Sequence, residues 1–204
     1  MSNGLDTTAN CGPLAPQLKS DGYDFIARYY AHQGAKRLSL VEARLISAAG
    51  LQIVVVWETA PTSAGYFSRA RGVDDGTSAY HAAQLLGQPA GSAIYFAVDY
   101  DASPATIAGA ISDYFRGIID GFATIADPAP PAYRIGVYGS GATCAALVGH
   151  GLAALGWLAQ STGWTGYKTY TTWNIKQGKE TEVLGIDIDS DEAVGDYGAF
   201  VVAV

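Results

Sequence analysis

Short apolar, β-branched runs alternate with alanine-rich amphipathic stretches along the whole of this 204-residue chain. That alternation is the sequence mark of repeated βαβ units and a largely parallel sheet. It predicts strands at residues 4–7, 24–30, 52–57, 93–98, 134–138, 156–160, 172–177 and 184–188. The third, Gln52-Ile53-Val54-Val55-Val56-Trp57, is almost wholly apolar, as a strand covered on both faces should be. Helices are predicted at 39–49, ending at Gly50, at 74–86, from Ser103-Pro104 to about residue 125, and after Gly139-Ser140-Gly141. Ser103 suits an N-cap and Pro104 the first helical position. Residues 127–131 read as a proline-rich connector.

Eight strands with about five helices predict an α/β fold, a compact irregular (β/α)8 TIM-like barrel in a single domain over residues 1–204. Such barrels usually take about 250 residues, with about 200 at the lower end. An open doubly wound sheet is the other architecture with this alternation. It is weakened because no strand is followed by G-x-G-x-x-G or a P-loop. A hydrophobic content of 49% supports one sizeable core.

The net charge is −7, and no basic cluster exceeds Lys36-Arg37. Neutralising nucleic-acid phosphates or an anionic membrane needs a basic patch, so neither partner is expected. A glycan polymer is electrostatically acceptable. Cys11 and Cys144 fall on elements placed far apart in a barrel and are expected as free thiols, since a disulfide needs close Cα approach. No cofactor motif is present, so none is expected, nor is a metal. No signal peptide or membrane span is visible at Met1-Ser2-Asn3-Gly4-Leu5-Asp6.

The carboxylates mark the site. Asp6 ends the first predicted strand, Glu58 the third, Asp99 and Asp101 the fourth, and Asp187 and Asp189 the eighth. In a parallel barrel these ends share one mouth, where the active site belongs. Residues two apart share a face of a strand, which pairs Asp99 with Asp101 and Asp187 with Asp189. A lone aspartate after a strand is commonly a turn or cap residue; four acid-ended strands converging are harder to explain that way. Crowded carboxyls raise one another's pKa, and glycoside hydrolysis needs one carboxyl protonated beside another ionised.

Aromatic and polar residues accompany them. Tyr29, Tyr30, Trp57, Tyr100, Tyr138 and Trp157 are candidates for stacking on sugar rings, with a core role the alternative for both tryptophans. Arg28, Gln160 and Gln177 are candidates for hydrogen bonds to hydroxyls. His32, His81 and His150 pair with no evident nucleophile, and no G-x-S-x-G elbow is present.

Together, Gly4-Leu5-Asp6, Ala27-Arg28-Tyr29-Tyr30, Val56-Trp57-Glu58, Ile94-Tyr95-Phe96-Ala97-Val98-Asp99-Tyr100-Asp101, Gly136-Val137-Tyr138-Gly139-Ser140 and Trp157-Leu158-Ala159-Gln160 resemble the bacterial glycoside-hydrolase-like domains of domain-of-unknown-function family 1906, over about residues 4–200. That family is similar to the family 25 lysozymes, which cleave peptidoglycan between N-acetylmuramic acid and N-acetylglucosamine from an irregular barrel. The resemblance implies Asp6 as the aspartate of strand one and Asp99 as the first acid of an Asp-x-Glu motif. It implies Asp101 in the place of that motif's glutamate, the general acid, and Asp187 or Asp189 as the aspartate of the last strand. Here the motif is Asp-x-Asp, whose second acid is shorter. Glu58, rising from the apolar run Val54-Val55-Val56-Trp57, is therefore favoured as proton donor, with Asp101 the alternative.

The expected function is a lysozyme-like glycosidase acting on peptidoglycan as a monomer, with catalytic residues Glu58, Asp99, Asp101 and Asp6. Asp187, Asp189, Arg28, Tyr30, Trp57, Tyr100, Tyr138, Trp157 and Gln160 are expected to bind substrate. Such work implies a secreted or cell-envelope location. A non-catalytic cell-wall glycan-binding domain is the second reading. A divalent-metal hydrolase using Asp99, Asp101, Asp187 and Asp189 is the third. For that reading the calcium-loop pattern fails, with Glu192 where glycine is needed and Gly198 where the bidentate glutamate is needed.

Overall fold

Each of the eight predicted runs overlaps a strand, the seventh and eighth only in part, and the strands close on themselves into a barrel in sequence order. The computed structural model describes residues 1–30, 36–126, 129 and 131–203. His32, and positions 127, 128 and 130 of the proline-rich connector, lie outside these. The strands are β1 (Ser2–Asp6), β2 (Phe25–Tyr30), β3 (Gln52–Trp57), β4 (Ala93–Ala97), β5 (Arg134–Gly139), β6 (Leu155–Leu158), β7 (Ile175–Val183) and β8 (Ile186–Ala193). Around them lie α1 (Ala15–Ser20), α2 (Leu40–Ala48), α3 (Arg69–Leu86), α4 (Pro104–Thr106), α5 (Ser112–Ala126) and α6 (Gly141–Gly149).

The first seven strands pair in parallel, but β8 runs antiparallel to both β7 and β1. This corrects the expectation of a fully parallel barrel. β7 and β8 are joined by a two-residue hairpin turn at Leu184 and Gly185, with φ of 52° and 80°. A tight turn with both central residues at positive φ forces the next strand back alongside the last. Residues 178–183, Gly-Lys-Glu-Thr-Glu-Val, extend β7 beyond its predicted end and are mostly exposed, so they need no apolar face.

Alternation along each strand divides the core in two. Phe25, Ala27, Val54, Val56, Tyr95, Ala97, Trp157 and Ile175 point into the barrel. Ile26, Ile53, Val55, Ile94, Phe96 and Val137 point outward under the helices. Burying each large side chain contributes roughly 1.5–3 kcal/mol. In the helical layer α3 and α5 meet through glycines: a Cβ on Gly72 would stand 2.0 Å from the Tyr114 carbonyl oxygen. At the barrel floor Phe25 packs on Tyr197 with ring centroids 5.0 Å apart, and the Tyr95 hydroxyl donates to the Tyr197 carbonyl at 3.0 Å. The floor is thus sealed, and open space is left at the other end.

Candidate active site

Following each inward face towards the open end leads from apolar to polar residues. Ala27 gives way to Tyr29, Val56 to Glu58, Ala97 to Asp99, Gly136 to Tyr138 and Ile175 to Gln177. On β8, which runs the other way, Ala193 gives way to Asp191 and then Asp189. Tyr29, Glu58, Asp99, Tyr138, Gln177 and Asp189, with Asp6 of β1, Trp157 and Gln160, surround a cavity of about 280 Å³, and Asp191 lies deeper. Glu58, Asp99, Asp6 and Asp189 all line it, as do Tyr138, Trp157 and Gln160. Asp187 lines a smaller adjoining cavity of about 120 Å³ with Thr8 and Glu180.

Gln177 organises the polar lining. Its Nε2 donates to Asp6 Oδ2 at 2.8 Å and to Asp189 Oδ2 at 3.1 Å. Its Oε1 accepts from the Tyr138 hydroxyl at 2.9 Å and from the Gln160 amide nitrogen at 3.2 Å. Gln160 Nε2 donates to Asp189 Oδ1 at 3.1 Å, and the Tyr29 hydroxyl to Asp6 Oδ1 at 3.1 Å. Beneath them Trp157 Nε1 donates to Asp191 Oδ1 at 3.0 Å.

The carboxyls titrate high because they are shut away from water. Burial, with the neighbouring charge of Asp189, raises Asp6 to about 7 despite the Gln177 and Tyr29 donors. Burial also raises Asp99 and Asp189, the latter helped by Glu180. Glu58 is raised by burial and by Asp99, while Lys36 opposes the shift; the Lys36 ammonium lies 3.2 Å from Glu58 Oε1 and over the Tyr29 ring. Asp191, fully enclosed, is pushed well up by burial and then by Asp6.

Five expected site residues lie elsewhere. The Asp101 carboxylate accepts from the Thr165 amide and hydroxyl at 2.9 and 3.0 Å. Because β4 ends at Ala97, strand alternation no longer aims Asp101 at the cavity. Arg28 is fully buried outside the barrel, where its Nε donates to Glu42 at 2.7 Å. Tyr30 shares that outward face and donates to Gln88 at 2.9 Å. Trp57 is buried in the outer core, and Tyr100 stacks on Phe67 at 6.0 Å. Among the described residues no three acidic, His or Cys side chains are grouped to hold a metal ion.

The sequence profile of the Rv2525c-like, glycoside hydrolase-like domain matches residues 16–194. The chain belongs to that family. Two relatives of this glycoside hydrolase-like domain come from Bacillus subtilis strain 168. The uncharacterised protein YbfG is 32% identical over 193 residues, 86% of this chain and 26% of YbfG. The uncharacterised protein FadG is 30% identical over 197 residues, 89% of this chain and 33% of FadG. The chain thus spans about a quarter to a third of these relatives' lengths. Among solved structures, the Tat-secreted protein Rv2525c of Mycobacterium tuberculosis, bound to L-tartrate, superposes with a TM-score of 0.81. It is 22% identical, covering 97% of this chain and 98% of that one. A lysozyme from Streptomyces coelicolor superposes with a TM-score of 0.55 at 17% identity, covering 95% and 92%. At such identities these structures establish the shared fold.

Val56 and Ser161 line the cavity and Asp191 lies beneath it without having been singled out in the sequence, while Tyr29 and Gln177 take up places expected of them as strand-end residues. The phase of Tyr29 and the place of Asp191 were both signalled in the sequence. Tyr29 lies two residues beyond the small Ala27, and Tyr30 is out of phase with it. Asp187-x-Asp189-x-Asp191 carries a two-residue period that continues inward along β8.

Proposed function

We propose that this domain cleaves a peptidoglycan-type glycan, with Asp99 as proton donor and Glu58 as its ionised partner. The observation that carries the proposal is the placing of both acids, from neighbouring strands, at one cavity that Asp6 and Asp189 also line. Burial lifts both acids and Lys36 opposes the rise at both, but Lys36 is hydrogen-bonded to Glu58, which favours the charge on Glu58 and the proton on Asp99. Asp99 gives that proton to the glycosidic oxygen as the bond to the anomeric carbon breaks. Glu58 and Asp6 face the positive charge that develops on the sugar ring. This transfers the donor role from Glu58, favoured by its apolar strand, to Asp99. It also sets aside Asp101, which is engaged with Thr165.

At about 280 Å³ the cavity lies near the small end of ligand pockets. It suits a single sugar unit of a longer polymer, with Tyr138 and Trp157 as the apolar walls. A domain with this substrate works outside the cytoplasm; the related Rv2525c is described as Tat-secreted. Glu58→Gln and Asp99→Asn, compared on aryl glycosides with good leaving groups, test the roles. Asp99→Asn should recover much of its rate there, because such substrates need little proton donation, and Glu58→Gln should stay slow. The reverse pattern returns the donor role to Glu58.

A further inference from the structure

Asp191 is the most enclosed carboxyl of the site, and the mechanism above does not use it. It stands on β8 opposite Gly4 of β1 and opposite Gln177 of β7. Oδ1 accepts from Trp157 Nε1. No N–H or side-chain hydroxyl reaches Oδ2, which is fully buried. The group that interacts with Asp191 on this side is the carboxyl of Asp6, which stands on the neighbouring strand opposite Asp189. Two ionised carboxylates are acceptors only, so a hydrogen bond between them needs a proton.

We propose that Asp191 is a positioning residue that stays neutral and donates its hydroxyl proton to Asp6. Once ionised, the Asp6 carboxylate accepts from three donors, the Tyr29 hydroxyl, Gln177 Nε2 and Asp191. The direction of transfer follows from enclosure. Asp191 is 1% exposed and lines no part of the cavity, whereas Asp6 borders it, so charge is less costly on Asp6. The other ionisable groups facing the pair are Asp189 on the same strand, Glu58, Asp99, Tyr29 and Tyr138. The carboxyls among them favour retention of the proton. Lys36, bound to Glu58, is a cation at this mouth. Proton sharing follows from the buried, donorless Oδ2 of Asp191 beside Asp6; its effect on turnover rests on the glycosidase reading.

Asparagine copies a neutral aspartic acid: its carbonyl can accept from Trp157 and its amide can donate to Asp6. Alanine can do neither. Asp191→Ala should lower kcat at least about tenfold and move the rising limb of the pH–rate profile upward, since Asp6 loses a donor to its charged form. Asp191→Asn should restore most of the rate and return the limb. A merely structural role would change the amount of folded protein and leave the limb in place. A second measurement needs no turnover: carboxyl carbon-13 NMR titration of the wild-type chain should show one aspartic acid still protonated above pH 7, and Asp191→Asn should remove that signal. Wild-type protein without hydrolysis but with this signal removes the glycosidase reading and keeps the proton assignment. All aspartates ionised at pH 7, or Asp191→Asn as inactive as Asp191→Ala, overturns the proposal.

Discussion

Asp6 and Asp189 face each other across the antiparallel β1–β8 pairing, and a single amide nitrogen of Gln177 donates to both. Two carboxyls that would repel are thereby held at the same wall of the cavity. The arrangement depends on β8 running backwards, since that direction brings the first half of the strand to the mouth.

Gln177→Leu should therefore be costly. It removes the shared donor and leaves Asp6 and Asp189 with weaker partners inside the barrel. Losing hydrogen bonds to buried groups costs about 1–3 kcal/mol, and the Asp6 pKa should rise further. Thermal melts should show a clear drop in Tm, with hydrolysis reduced. An unchanged Tm would mean that Gln177 is a bystander.

Asp99→Asn and Asp101→Asn should separate cleanly. Asp99 lines the cavity and holds no packing position, so its variant should melt near wild type while hydrolysis falls by about 10²–10⁴. Asp101→Asn affects the contact with Thr165 and should retain activity within a few-fold. Equal loss in both variants would restore Asp101 to the site.

Arg28 should act on stability. Arg28→Met leaves Glu42 ionised in a closed space, and breaking such a pair costs roughly 3–5 kcal/mol. The double variant Arg28→Met, Glu42→Leu should recover much of it, because no unpaired charge remains. Urea unfolding of the three proteins measures this. A single variant of normal stability but weak glycan binding would place Arg28 with the substrate after all.

Stability should fall as pH rises from about 4 to 7. Asp6 titrates near 7 in the folded chain against 3.8 ordinarily, so across that interval the folded state holds a proton that the unfolded state has released. The contribution is fully present below the lower value and is lost towards the upper one, with a slope of at most about 1.4 kcal/mol per pH unit for one proton. Asp6→Asn should make the dependence shallower. Urea midpoints that climb through this interval would assign the dominant linkage to other groups.

The barrel was legible because buried strands such as Val54-Val55-Val56 differ so plainly from the amphipathic helices between them. The direction of β8 was hidden by a hairpin whose strands are polar and whose turn, Leu184-Gly185, lacks the usual Asn or Asp. Acids directly following a strand face, Glu58 and Asp99, were legible from position alone. Asp101 was not, because alternation ends with the strand and its carboxylate turns to a distant loop. Arg28 and Tyr30 sit one residue out of phase with Tyr29, so strand position without phase assigns them to the wrong face. Gln177 drew notice as a polar strand-end residue, but nothing local shows that it ties four partners together.

The most direct test of the account is the incubation of the purified protein with peptidoglycan, followed by reducing-end quantification and mass analysis of soluble fragments. The account predicts new reducing ends and released saccharide fragments, with both lost in Asp99→Asn. Intact peptidoglycan that binds the protein without gaining reducing ends would contradict it and leave a glycan-binding domain.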